Sequence, residues 1–129
     1  MAGRGVGLER LGFPRERRLR RKAEFDAAYA VGRRFGDAFF GIVARANDAT
    51  GPRLGLAVAT KVAGSSVERN RIRRLIRESF RLRQRQLPAL DIVVSARTRA
   101  RGARNAELIA SLDTLWDRVT EQCASLPRS

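Results

Sequence analysis

The sequence predicts a small α+β domain, a two-layer sandwich with helices packed on one sheet. Three observations predict it. Residues 65–85 read as a capped amphipathic helix rich in arginine, residues 53–60 and 90–96 carry strand patterns on either side of it, and residues 105–123 return to a helical period. A shorter helix and a further strand precede these, so the order is helix, strands, helix, strand, helix.

Residues 1–12 are rich in glycine and arginine and have no period that could bury a face, which marks a disordered basic arm. Ordered structure is expected from Phe13-Pro14 onward, as one domain over residues 13–123 with a tail over residues 124–129. A basic segment follows, with Arg15, Arg17, Arg18, Arg20, Arg21 and Lys22. It leads into Phe25, Ala28, Tyr29 and Ala30 at helical spacing, a short first helix ending near Gly32. Residues 39–46 are strand-like, and residues 47–52 supply a turn-rich break. From 53 to 60, Leu54, Leu56 and Val58 alternate with Gly55, Ala57 and Ala59, the two-residue period of a strand. These two runs are expected to pair as an antiparallel hairpin.

Ser65 with Glu68 three residues later is a capping box: the hydroxyl accepts from the N–H of residue 68 and the carboxylate reaches back to the N–H of residue 65. At about 100° per residue, Ile72, Leu75, Ile76, Ser79, Phe80 and Leu82 share one sector, the core-facing stripe of a helix. Pro88 ends that register. Leu90 to Ala96 then reads as a near-continuous buried strand, and residues 97–104 connect it to the last helix. That helix places Leu108, Ile109, Leu112, Leu115, Trp116 and Val119 on one face.

A chain of 129 residues with 43% hydrophobic content has material for one core and not for two. Its formal charge is +14, and of 27 basic residues only Lys22 and Lys61 are lysines. Guanidinium groups bind phosphate through two N–H bonds at once and stack on bases, so the bias suits nucleic acid, although a GC-rich genome also favours arginine. No histidine is present and Cys123 is the one cysteine, which excludes an internal disulfide and argues against zinc. No apolar run approaches a membrane span and none resembles a signal peptide, so the expected location is the cytoplasm.

Residues 65–85 hold eight arginines. Opposite the apolar stripe, Asn70, Arg74, Arg77, Arg81 and Arg85 recur at spacings that stack them on one ridge. Glu78 is the one acid after the first turn, so the ridge is expected to stay unneutralised and to suit a polyanion. Phe25 and Tyr29 lie one turn apart beside the basic segment, able to stack unpaired bases or to fill a core. Ala57 and Ala59 would leave their strand face shallow, open as a groove or covered by the terminal helix. Lys61 and the amides of Ser66 and Val67 stand where a strand hands over to a helix start, a place for phosphate. Catalytic residues are not expected: the 13 acids are scattered and no histidine can serve as general base, which speaks against a stand-alone metal-dependent nuclease. Asp91 is read as a strand-start or surface acid.

From Glu68-Arg69-Asn70-Arg71-Ile72-Arg73-Arg74-Leu75-Ile76-Arg77 through Glu78-Ser79-Phe80-Arg81, the chain resembles the signature helix of the bacterial ribonuclease P protein subunit. Phe13-Pro14-Arg15-Glu16, Arg18-Leu19, Phe25 with Tyr29, Gly51-Pro52-Arg53-Leu54-Gly55-Leu56, Leu87-Pro88-Ala89-Leu90-Asp91-Ile92-Val93-Val94 and Leu115-Trp116 are similar to that family in the same order. The resemblance covers roughly residues 10–123.

It implies a four-stranded sheet with three helices in the order αβββαβα and a left-handed βαβ crossover, against the usual hand. It also implies a partner, a catalytic RNA that removes the 5′ leader of precursor tRNA, with Mg²⁺ bound mainly by that RNA. On the family pattern Arg69, Asn70, Arg71, Arg73, Arg74, Arg77 and Arg81 face the catalytic RNA, while Phe25, Tyr29, Val43, Ala57 and Lys61 line a leader cleft. Neither a membrane nor DNA is an expected partner. Thr60 stands where the family commonly has lysine, Val43 lacks the ring some members carry, and residues 62–67 follow the longer of two loop versions. The alternative is a ribosomal-type or general RNA-binding protein with no role in tRNA cleavage.

Overall fold

The computed structural model describes residues 18, 19, 21–47 and 51–123. Expectations for the arm, for Arg15, Arg17 and Arg20, and for the tail over residues 124–129 fall outside these residues. Helix α1 (Lys22–Val31) precedes strands β1 (Arg33–Gly36), β2 (Phe40–Ala46) and β3 (Arg53–Ala57). A one-turn helix α2 (Thr60–Ala63), the long helix α3 (Ser66–Arg83), strand β4 (Leu90–Ala96) and helix α4 (Asn105–Cys123) complete the order, with a 3-10 turn at Thr98–Ala100. Helix α2 replaces the expected end of the third strand. Gly64, at φ +100°, closes it by donating its N–H to the Thr60 carbonyl at 2.8 Å.

The four strands lie in the order β1-β2-β4-β3. β1 with β2 and β2 with β4 are antiparallel, and β3 with β4 is parallel. The hairpin expected between residues 39–46 and 53–60 is therefore corrected: β4 inserts between β2 and β3. Its composition accounts for this. All of Leu90, Asp91, Ile92, Val93 and Val94 are buried, which only a central strand covered on both faces permits. β3 takes the edge, and residues 18 and 19 run beside it, the Leu19 N–H donating to the Leu54 carbonyl at 2.8 Å.

One face of the sheet carries the main core, where Phe40, Ile42, Leu54, Ile92 and Val94 meet Ile72, Ile76 and Phe80 of α3 and Leu108, Leu112 and Trp116 of α4. Burying one such aliphatic side chain contributes about 1.5–3 kcal/mol. Ser79 interrupts the stripe for a reason: its hydroxyl accepts the Trp116 indole N–H at 2.7 Å, and the indole sits edge-on to Phe80 at 6.0 Å. Leu82, expected in the stripe, is 66% exposed. It lies at the stripe's edge, bordering a groove that stays open between α3 and α4. Helix α1 covers part of the other face, with Ala28 over Val43 and Val93.

Candidate nucleic-acid interface

Helix α3 starts as its sequence dictates, with the Ser65 hydroxyl accepting the Glu68 N–H at 3.1 Å. The return half of the capping box is not made. Glu68 instead accepts from Arg71 at 3.1 and 2.5 Å and from the Gly102 N–H at 2.9 Å. These hydrogen bonds, Arg71 first, pull its carboxyl from 4.5 down to about 2. Arg71 also donates to the Asn105 side chain at 2.5 Å, so it ties the start of α3 to the start of α4.

The ridge is not as free of acid as its sequence suggests. Glu78 accepts from Arg81, which lowers the Glu78 carboxyl and commits Arg81 within its own helix. Arg83 pairs with Asp117 and, at 3.7 Å, with Asp113 of α4. Arg69 donates its Nε to the Val58 carbonyl at 2.6 Å, leaving the rest of its guanidinium beside Arg73. Arg73, Arg74 and Arg77 make no hydrogen bond or ion pair with any described residue, and exposed Asn70 stands at their head. Burial, then repulsion from neighbouring arginines, pushes Arg73 and Arg77 below the ordinary guanidinium value. Arg18 is among the groups repelling Arg77. A polyanion placed here relieves that repulsion.

The second surface lies on the open sheet face. Three rows of side chains cross it, fixed by the pairing register. The middle row, Val43, Val93 and Gly55, is roofed by α1. Contact is so close at Gly55 that an added Cβ would stand 2.8 Å from the Phe25 ring. On one side of α1 is a charged row. Arg53 grips Asp91 through two bonds of 2.8 Å, Asn47 donates to the same carboxylate at 2.8 Å, and Glu24 of α1 reaches Arg53 at 3.3 Å. Asp91 stands at the start of β4 as expected, but at 3% exposure it is not a surface acid: it is the buried anchor of this ion pair.

On the other side of α1 the row is small. Gly36 pairs with Gly41, Gly41 with Ser95, and Ser95 with Ala57, so no side chain larger than serine crosses all four strands. Because Glu24 points to the charged row, Phe25 and Tyr29, on the opposite flank of Ala28 at about 100° per residue, face this trough. Phe25 is half-buried and Tyr29 is 38% exposed. The Arg97 guanidinium lies at the far end, 2.5 Å from where a Gly36 Cβ would be, and makes no bond to a described side chain. Lys61 is exposed on α2, whose carbonyls at Lys61 and Val62 accept from Arg101 at 3.1 Å.

A family model described as Ribonuclease P matches residues 13–120. The chain belongs to the ribonuclease P protein family. The ribonuclease P protein component of Methylococcus capsulatus is 44% identical over 113 residues, covering 88% of each chain. That of Thioalkalivibrio sulfidiphilus is 40% identical over 114 residues, covering 88% of this chain and 95% of the relative. The fold is similar to the ribonuclease P protein of Staphylococcus aureus (TM-score 0.72, 29% identity, 85% of this chain and 96% of that one). It is similar as well to that of Thermotoga maritima (TM-score 0.71, 28% identity, 79% and 96%). A protein of this family is a component of a ribonucleoprotein endoribonuclease, so RNA is its partner.

Of the expected cleft residues, Phe25 and Ala57 pack against the same cluster under α1, and Tyr29, one turn beyond Phe25, is 38% exposed. Val43 is corrected: it is 6% exposed beneath α1, where Gly32 packs on it with no room for a Cβ, and it supports the cleft from below without lining it. Of the basic segment, Arg18 flanks β3, Arg21 donates its N–H to Glu24 at 3.1 Å, and exposed Lys22 pairs with Asp26 at 2.8 Å. Arg97 and the rest of the small-residue row, Gly36, Gly41 and Ser95, were missed. Their signal is the pairing register, which a sequence read without strand order does not carry. Among the described residues no helix is long and apolar enough to cross a membrane, and no three of His, Cys, Asp and Glu gather.

Proposed function

We propose that the protein binds the catalytic RNA of ribonuclease P through Asn70, Arg69, Arg73, Arg74 and Arg77, and holds the single-stranded 5′ leader of precursor tRNA in the trough between α1 and the Gly36-Gly41-Ser95-Ala57 row. The observation that carries this reading is that two surfaces of different character sit on one small domain. A ridge on which Arg73, Arg74 and Arg77 have no described partner fits a phosphate backbone, and a shallow trough walled by Phe25 and Tyr29 fits stacked, unpaired bases. Arg97 supplies a phosphate contact at the Gly36 end of the trough, and exposed Lys61 follows β3 at the opposite edge of the sheet. Arg71, engaged by Glu68 and Asn105, acts chiefly by tying α3 to α4, and Arg81 is committed to Glu78 within its own helix.

Hydrolysis of the phosphodiester belongs, in this reading, to the RNA and its Mg²⁺. The donor set supports that division: the described side chains offer no cluster of acids to hold the ion, and Asp91 is spent on Arg53. The protein screens phosphate repulsion so that leader and catalytic RNA approach each other, and its place of work is the cytoplasm. The test is to incubate the purified chain with precursor tRNA and Mg²⁺, with and without the cognate catalytic RNA. Cleavage is expected only with the RNA, accelerated by the protein, together with tighter binding of precursor than of mature tRNA. Equal binding of the two tRNAs would favour a general RNA-binding protein, and cleavage by the protein alone would overturn the division of labour.

A further inference from the structure

A cavity of about 320 Å³ opens at the outer edge of β3, between residues 18–19 and the arginine ridge. Its walls are of two kinds. Leu19, Phe25, Leu54 and Leu56 form an apolar floor, while Arg18, Arg73 and Arg77 stand around it, and among the described residues no carboxylate lines it. The volume is at the low end for a ligand pocket and has room for one base with its ribose. An apolar floor with an aromatic ring takes the face of a base, and guanidinium forks take phosphate in a bidentate grip. Two of the three arginines, Arg73 and Arg77, have no other described partner.

We propose that this cavity receives a single unpaired ribonucleotide of the RNA the protein binds, its base seated on the apolar floor and its phosphate held by Arg18, Arg73 and Arg77. A base within a duplex cannot enter a pocket of this size, so the nucleotide is one splayed from a single strand, a bulge or a loop. The site shares Phe25 with the trough, which lies on the sheet face, and joins that trough to the ridge. This inference rests on the RNA-binding reading above.

The test uses the full chain with labelled leucine methyl groups, titrated with adenosine 5′-monophosphate, adenosine and inorganic phosphate. The monophosphate is expected to shift the Leu54 and Leu56 methyl signals through the ring current of its base, which inorganic phosphate cannot do. Equal effects of the two on those methyls would overturn the proposal, leaving a phosphate rim with no base site. A second arm fills the cavity while keeping its charge: Leu56→Phe, with its melting temperature measured, is assayed for binding to precursor tRNA and to catalytic RNA separately. At least about tenfold weaker binding to one of them, with an unchanged salt slope, is expected, and it identifies which RNA supplies the nucleotide. A folded variant with normal affinity for both overturns the proposal. If the unmodified chain bound neither RNA, the broader reading would fail instead, so the two failures are told apart.

Discussion

Arg71 and Arg74 are three residues apart on one helix, yet the structure gives them opposite tasks, and substituting each by alanine separates these. Arg71 spends two bonds on Glu68 and one on Asn105, while exposed Arg74 has no described partner. A charge-assisted hydrogen bond is worth ~1.5–3 kcal/mol when buried, and the Arg71 and Glu68 side chains are 27% and 22% exposed. After screening, about 2 kcal/mol in total is expected to be lost from Arg71→Ala, or roughly 6–10 °C in Tm for a domain of this size. Arg74→Ala should change stability by less than about 0.5 kcal/mol. Binding to catalytic RNA, measured across a series of salt concentrations, should behave the other way. Arg74→Ala removes one phosphate contact and lowers the slope of log affinity against log salt by about 0.7–0.9, whereas Arg71→Ala leaves the slope as it was. A slope loss in Arg71→Ala as large as in Arg74→Ala, with Tm unchanged, would mean that Arg71 leaves Glu68 for the RNA, and the division of the helix argued from its ion pairs would be wrong.

Three further outcomes are expected. Glu68 has its carboxyl held at about 2 against an ordinary 4.5, so its contribution is complete above that ordinary value and is lost as pH falls between the two. The full shift corresponds to about 3 kcal/mol, of which solvent screening leaves ~1 kcal/mol. Thermal melts from pH 5 to pH 2 should show the loss, and Glu68→Gln should flatten that part of the profile. Phe25→Ala should weaken leader binding by ~1–3 kcal/mol; a fall of ~3–5 kcal/mol in stability with unchanged discrimination between precursor and mature tRNA would return Phe25 to a purely structural role. Asp91→Asn should destabilise the fold by ~3 kcal/mol, because Arg53 keeps its charge and loses its main partner, while single-turnover cleavage in the folded, reconstituted enzyme falls by less than about tenfold. A thousandfold loss would point to a protein carboxylate in the chemistry.

Local signals told the truth about local structure. Ser65 capped α3, Gly32 ended α1, and the alternation at Leu54 and Leu56 put both on the core side of β3. What the sequence could not carry was the partner of each strand. Pairing β2 with β3 was the natural reading of two adjacent runs joined by a turn-rich break, and it failed because β4, the most apolar strand, competes for the central position and has more area to bury there. The ridge was legible for the same local reason, since spacing fixes which helix residues align. Which of its arginines remain available was not legible. Gly102 and Asn105, more than 30 residues beyond Glu68 and Arg71, decide one case, and only the folded chain brings them together.

The same distinction explains why only part of the trough was legible. Phe25 and Tyr29 announce themselves as an aromatic pair at helical spacing and Ala57 as a small residue on a strand, but Gly36, Gly41 and Ser95 are three unremarked small residues until register aligns them with Ala57. Orientation of the wall also depends on a distant contact. Glu24 is turned toward Arg53, Arg53 is fixed by Asp91, and Asp91 is placed by the central strand, so the charged row on one side of α1 sets the direction in which the aromatic flank faces on the other. An ion pair that holds no RNA thereby determines where RNA can stack. Glu24→Gln tests that step: with α1 less firmly aimed, discrimination between precursor and mature tRNA should fall by roughly threefold or more while affinity for the catalytic RNA and its salt slope stay unchanged. A variant that kept full discrimination would show that α1 is aimed by Ala28, Gly32 and their packing on Val43 alone.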